Sequence, residues 1–350
     1  MKINKYIGTL LALSIIYLVS VEVAGDAKKL ADINYIYNLG ILEIGWKAIV
    51  TIKTILIGNS NASNIIFIYT IQLMGLAAIY DTARITNKKI LTGLLLLTLL
   101  LPIALRIQIR LGIAVCIWIN SVVKFSKDRQ KKRYVITCLI ASSLHQGVAA
   151  LNIMLLCLKA GNWLKSVTKI PKIKKKHKSL IIIIILTCTI LSGSWIINQT
   201  ASLSAIAGKQ LGHILPTINT LNAVIERQES FERTDISKYA TLIYSSILLI
   251  LGSWADKIQN INRKETTKGR QEWENNKQLE EIRFLFFTLA LFNIVFAGIE
   301  YYGRIGGLSY ILYALFIILI NMEIGDKKLS KRADILYYVP IILGTWRFIS

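Results

Sequence analysis

The sequence predicts an all-α, polytopic integral membrane protein, and three observations carry that prediction. Hydrophobic residues make up 54% of the chain, with a mean hydropathy of +0.52. They gather in separate long runs, among them Leu94–Leu101 and Leu180–Leu186, which no soluble domain needs in such number. The 42 lysines and arginines, against 20 acidic residues, sit in short segments between these runs. A net charge of +22 distributed in that way marks cytoplasmic loops rather than a nucleic-acid-binding face. The expected architecture is a single membrane domain over 1–350. It has about nine transmembrane helices, a re-entrant or broken helical hairpin and an external amphipathic helix.

Span 1 is Tyr6–Val23, and Lys2 and Lys5 ahead of it place the N-terminus in the cytoplasm. It is long for the apolar core of a signal peptide and carries Glu22, so it is read as uncleaved. In the external segment 25–61, Glu43–Ile57 is too short to cross and holds Lys47 and Lys53, the pattern of an interfacial amphipathic helix. Span 2, Ala62–Tyr80, returns to the cytoplasmic loop 81–89 with Arg84, Lys88 and Lys89. Spans 3 and 4, Ile90–Leu105 and Leu111–Val123, are joined outside through Arg106 and Arg110 and lead to the loop 124–133.

Tyr134–Leu158 is long enough to cross once, yet both flanks are basic. Six cations lie in 124–133 and eight in 159–178. Two short helices broken near His145-Gln146-Gly147 would return the chain and keep both clusters inside. After the loop 159–179 come span 5 (Leu180–Ile197), the external segment 198–238 with His213, and span 6 (Tyr239–Ala255). The loop 256–283 leads to span 7, Phe284–Ile299, which ends in Glu300-Tyr301-Tyr302-Gly303-Arg304. Span 8 (Leu308–Met322), the loop 323–334 and span 9 (Ile335–Trp346) complete the chain, and 30 of the 42 cations then fall inside.

Catalysis by a soluble domain is excluded. The chain has no Gly-rich phosphate loop, no His-Glu-x-x-His and no Gly-x-Ser-x-Gly, and its hydrophilic segments are too short to fold alone. Cys116, Cys138, Cys157 and Cys188 lie within apolar runs without metal-ligand spacing and are read as core filler. No acidic cluster suits a divalent ion, so neither metal nor cofactor is expected.

The candidate site residues gather at the outer ends of spans. From Arg110 to Lys124 is roughly 21 Å of helix, short of the ~30 Å hydrocarbon core, which leaves Arg110 below the outer surface. Arg106, four residues earlier, can share its face. Intramembrane cations mark functional sites, and guanidiniums grip phosphate oxygens through paired donors while keeping their charge. Arg106, Arg110 and Arg304 are therefore candidate phosphate binders, against the alternative of side chains snorkelling to the boundary. Glu43, His145 and Glu300 are candidate catalytic groups. For Glu43 the alternative is a helix N-terminal charge, and for His145 a structural hydrogen bond. Tyr301 and Tyr302 suit sugar rings, or an aromatic interface belt.

Glu43-Ile-Gly-Trp46, Arg110-Leu-Gly-Ile-Ala114 and Ile140-Ala-Ser-Ser-Leu-His145-Gln-Gly-Val-Ala149 together resemble the EpsG-like group of bacterial polysaccharide polymerases, which are similar to Wzy-type O-antigen and capsule polymerases. The resemblance covers about Tyr35–Leu158; beyond it lie the span number and Arg304 before Tyr310. The arginine-tyrosine-glycine-aspartate stretch often found in that family's first external loop has only a loose echo in Gly25-Asp26, Tyr35 and Tyr37. The resemblance implies a bacterial inner-membrane enzyme joining undecaprenyl-pyrophosphate-linked oligosaccharide repeats at the periplasmic face, with a chain-length regulator as a protein partner. Arg106, Arg110 and Arg304 would then hold pyrophosphates, and Glu43, Glu300 or His145 would act as general base. Two other readings compete: a glycosyltransferase using polyprenyl-phosphate sugars, with Asp26 and Asp32 in its first external loop, and a lipid-linked oligosaccharide flippase.

Overall fold

The computed structural model describes residues 2–20, 25–36, 43–101, 105–106, 108–167, 235–265, 270–295, 308–324 and 327–345. The expected span 5, nearly all of the segment 198–238, and Glu300, Tyr301, Tyr302 and Arg304 lie outside the described residues. Among the described residues the chain is 93% helical, with no strand.

The helices are α1 Lys2–Ser20, α2 Gly25–Ala31, α3 Ile33–Ile36, α4 Ile44–Ile57, α5 Asn61–Ile85, α6 Lys89–Leu100 and α7 Ile109–Asp128. They continue as α8 Lys131–Leu144, α9 Gln146–Val167, α10 Asp235–Glu265, α11 Arg270–Val295, α12 Leu308–Glu323, α13 Lys327–Ala333 and α14 Ile335–Thr345. The Asn61–Ile85 and Ile109–Asp128 helices, and Tyr239–Asn262 within α10, are long and apolar enough to cross a membrane. The apolar helices Gly8–Ser20, Lys89–Leu100, Gln146–Lys159 and Leu308–Glu323 are shorter. The α-helix α6 ends at Leu100, Leu101 and Leu105 have π-helical backbone, and residues 102–104 of the expected span 3 lie outside the described residues.

The expected loops are also largely helical. Only Arg129 and Gln130 separate α7 from α8, with Arg129 in the left-handed region at φ 58°. Much of 256–283 likewise belongs to α10 and α11, which Arg283 and Asp256 join in an ion pair at 3.1 Å. Lysine, arginine and glutamate are good helix formers, so hydropathy falls before the helix does.

The interior and exterior are arranged for apolar surroundings. α12 is buried on every side from Leu308 to Asn321 and forms the core against α10, α11, α7 and α6. At its start the Asn293 amide donates to Ser245 Oγ at 2.8 Å and to the Tyr310 hydroxyl at 3.0 Å, all within the core. The outer faces carry large apolar side chains instead: Leu13 and Ile16 on α1, Leu73 and Met74 on α5, and Val135, Ile136, Leu139 and Ile140 on α8. Apolar surface this continuous has no place against water.

α8 and α9 form an antiparallel hairpin broken at His145. Asn152 of α9 holds it together: its amide donates to the Cys138 carbonyl at 3.3 Å and to Ser142 Oγ at 2.8 Å. Its Oδ1 accepts from Trp118 Nε1 of α7 at 2.8 Å. Lys159, late in α9, reaches Glu281 of α11 at 3.8 Å beside the start of α8, so both ends of the hairpin return to one end of the bundle. That end also carries Lys88 paired with Asp334 at 2.8 Å, and Lys124 paired with Asp81. We call it the basic end.

Replacing Asn152 with Leu leaves the Trp118 indole and the Cys138 carbonyl without their partner. The expected loss is about 1–2 kcal/mol, read as a lower unfolding midpoint in detergent; an unchanged midpoint would mean that Asn152 does not hold the hairpin.

Candidate functional site

At the end opposite the basic loops, the starts of three helices meet. α4 begins after Glu43, α7 begins at Ile109 and α9 begins after His145. Each contributes one of the residues singled out in the sequence.

Arg110 lies in the first turn of α7, where the positive end of the helix dipole disfavours a cation. Its guanidinium pairs with the carboxylate of Glu43, which is only 4% exposed and stands at the start of α4, where the dipole favours an anion. The pair therefore relieves one helix end and complements the other. Taking either partner away strands a buried charge, typically at a cost of about 3–5 kcal/mol.

Two close approaches set the geometry. A Cβ on Gly45 would collide with the side chain of Ser143, so the first turn of α4 presses directly on the last turn of α8. A Cβ on Gly147 would come within 3.1 Å of His145 Nδ1 and 3.7 Å of Leu111. The hairpin apex thus lies against the first turn of α7, with Arg110 in electrostatic range of His145.

His145 has extended backbone, and its Nδ1 accepts from the Gly147 N–H at 2.9 Å. It therefore caps α9 and satisfies one of the free donors of that helix start. With Nδ1 engaged as acceptor, the neutral imidazole carries its proton on Nε2 and presents a donor. The N-cap side chains of α4 and α7, Glu43 and Gln108, make no capping hydrogen bond.

Arg106 belongs to the connection between α6 and α7. Gln72 Nε2 of α5 donates to the Leu105 carbonyl at 3.0 Å, and a Cβ on Gly75 would stand 2.6 Å from Leu105 Cδ2. A side chain at position 75 would require Leu105 to shift. The buried Nε atoms of Arg106 and Arg110 have no hydrogen-bond partner among the described residues.

The cap over this end is anchored by a buried lysine. Lys53 Nζ of α4 donates to the Ala31 carbonyl at 3.0 Å, to Asn59 Oδ1 at 3.1 Å and to Asn64 Oδ1. Trp46 Nε1 donates to the Leu30 carbonyl at 2.9 Å, so the last carbonyls of α2 are satisfied from α4. The Asn59 amide donates to Asp32 at 2.8 Å and, with the Asn34 N–H, holds that carboxyl below its ordinary range. Burial lowers the Lys53 ammonium from its usual value, and nearby Asp32 opposes the shift.

Glu43, Arg110 and His145 are thus brought together, with Arg106 one connection away. Glu300, Tyr301, Tyr302 and Arg304 lie outside the described residues. The sequence did not reveal the Glu43–Arg110 pair, the capping role of His145, or the parts of Gly45, Gly75 and Gln72. Small residues beside the motifs, Gly45 and Ser143, were the available signal. Among the described residues no three His, Cys, Asp or Glu side chains converge in a way that could hold a metal ion. No family model matches the chain, and no curated protein or solved structure is similar to it.

Gly45→Ala should lower stability by about 1–3 kcal/mol through overpacking against Ser143. Ser143→Gly in the same chain should restore most of it, read as thermal midpoints in detergent. Absence of that rescue would disprove the close approach.

Proposed function

We propose that the chain is a multi-pass membrane enzyme that joins pyrophosphate-linked oligosaccharide repeats carried on a polyprenyl lipid. The reading is that of a surface-polysaccharide polymerase of the bacterial inner membrane, working at the outer face with its basic end in the cytoplasm. The observation that carries it is the meeting of three helix starts with Arg106 and Arg110. Helix starts and guanidiniums gathered at one end of a bundle are the groups that favour an anionic phosphate. The motif resemblance on Glu43-Ile-Gly-Trp46, Arg110-Leu-Gly-Ile-Ala114 and the stretch ending at His145 supports the same reading.

In the proposed reaction an acceptor sugar hydroxyl attacks the anomeric carbon of the donor glycan. A new glycosidic C–O bond forms, and the bond from that carbon to the pyrophosphate oxygen breaks. The lipid pyrophosphate leaves with the electron pair. Fixed cations stabilise the charge that grows on it, which is where an enzyme gains most in such a step. Arg110 and Arg106 are assigned to the pyrophosphate, with Nε2–H of His145 as a neutral donor beside them. Glu43 is assigned to orienting Arg110. The hydroxyl proton passes to a carboxylate on the same face, for which Glu43 and Glu300 are the candidates. Arg304, Tyr301 and Tyr302 keep their expected roles in pyrophosphate and sugar binding.

Arg110→Ala should reduce long-chain polymer at least about 100-fold while lipid-linked single repeats persist, seen as loss of the electrophoretic ladder. The exchange Glu43→Arg with Arg110→Glu should keep the thermal midpoint near wild type yet leave the ladder absent. A normal ladder in either variant would refute the assignment. In a chain without native cysteines, Asn61→Cys should react with an impermeant maleimide on intact spheroplasts. Lys127→Cys should react only after permeabilisation, and the reverse pattern would overturn the orientation.

A further inference from the structure

At the basic end, far from the three helix starts, α5, α7 and α8 splay around a cleft of about 510 Å³, part of it open to solvent. Only Arg129 and Gln130 separate α7 from α8, so the cleft lies beside this tight turn, with residues of both helices and Ala78 of α5 in its lining. Its walls include Ala78, Ile117, Phe125 and Tyr134, and its rim includes Lys124 and Arg133. The Phe125 and Tyr134 rings stack at 4.6 Å between centroids and form one apolar wall.

From Lys124 down to Ile117 the cleft follows seven residues of helix, roughly 10 Å along the axis. Below the charged mouth Asn120, Ser121 and Thr137 also line it, but Ser121 and Thr137 hydrogen-bond each other and Asn120 donates to Asp81 and Thr82. With those polar groups engaged, Ala78, Ile117, Phe125 and Tyr134 leave apolar lining below the cations, which suits an amphiphile better than a soluble anion. Lys124 is already paired with Asp81, which leaves the exposed Arg133 as the strongest free donor at the mouth. Asp128 shares the mouth, but six cations lie within 124–133, so the local field favours an anion. Beside the lining residues on α8 lie the outward side chains Val135, Ile136, Leu139 and Ile140, so the cleft adjoins the apolar exterior.

We propose that this cleft binds an anionic bilayer phospholipid. The guanidinium of Arg133 meets the phosphate, and the first acyl carbons lie against Phe125, Tyr134 and Ile117. Basic pockets between membrane helices select such head groups through charge. The inference requires the bundle to lie in a bilayer but not that it joins sugars, so it stands or falls apart from the proposed reaction.

The test is lipid retention on the full-length protein by native mass spectrometry, after titration with phosphatidylglycerol, with phosphatidylcholine, and with inorganic phosphate as competitor. Phosphatidylglycerol should bind more tightly than phosphatidylcholine. One cation near the surface changes such binding about fivefold, so charge reversal in Arg133→Glu should weaken it about 25-fold. Ile117→Trp, which fills the cleft without touching charge, should also displace the lipid. Equal retention of the two lipids would overturn the inference, as would retention unchanged in both variants. Displacement of the lipid by millimolar phosphate would assign the cleft to a soluble anion instead and equally overturn it.

Discussion

A guanidinium in the first turn of a helix faces both the positive end of the dipole and, in this bundle, a low-dielectric interior. It must find an anion. Arg110 finds Glu43, and the rest of the end opposite the basic loops is arranged around that necessity. To deliver Glu43, α4 has to lie across the top of α7 and α8, and Gly45 removes the side chain that would prevent it. To hold α4 there, Lys53 and Trp46 engage the carbonyls that end α2, so α2 and α4 fold as one cap. A single ion pair thus dictates a glycine, a buried lysine and the position of a hairpin apex.

The cap also shows how the chain meets its surroundings. Trp46, Val50 and Lys53 make the buried face of α4, while Ile52, Ile55 and Leu56 point outward with at least half of their surface exposed. An amphipathic helix on water would reverse this, with charge outward. Here Lys53 turns in to satisfy the Ala31 carbonyl and two asparagine oxygens while the isoleucines turn out, an arrangement that fits apolar surroundings. The same inversion recurs on α8, whose outward face is aliphatic, whereas Asn293, Ser245 and Tyr310 hydrogen-bond deep inside.

Several features were legible in the sequence because a one-dimensional signal encodes them. The break near His145 was expected because a single crossing would put one of two basic flanks outside, and the hairpin does bring Lys159 back beside α8. Arg110 stands out in the sequence because it follows Arg106 closely and opens an apolar run that hydropathy ends at Val123, although the helix itself, Ile109–Asp128, is long enough to cross a membrane. Helix ends were less legible. Hydropathy marked the end of α7 at Val123, yet its backbone continues through charged residues to Asp128, because helix propensity and apolarity are different properties. The pairing of Glu43 with Arg110 was not legible at all. The two stand 67 positions apart, and each looked like a free functional group when taken alone.

That distinction changes what each residue can do. An unpaired Glu43 would be a natural proton acceptor, but beside Arg110 its carboxylate first serves to fix the guanidinium's direction. A histidine read only from sequence can be base, acid or donor. Here the Gly147 N–H occupies Nδ1, so using the ring as a base at that atom would uncap α9 and loosen the apex that places it. Nε2 keeps the proton and remains a donor. The end opposite the basic loops is consequently rich in donors: two helix starts without a side-chain cap, two arginines whose buried Nε groups have no partner among the described residues, and one imidazole N–H. Of the carboxylates described there, Glu43 is engaged by Arg110 and Asp32 by Asn59 and the Asn34 N–H, so donors outnumber free acceptors at that end.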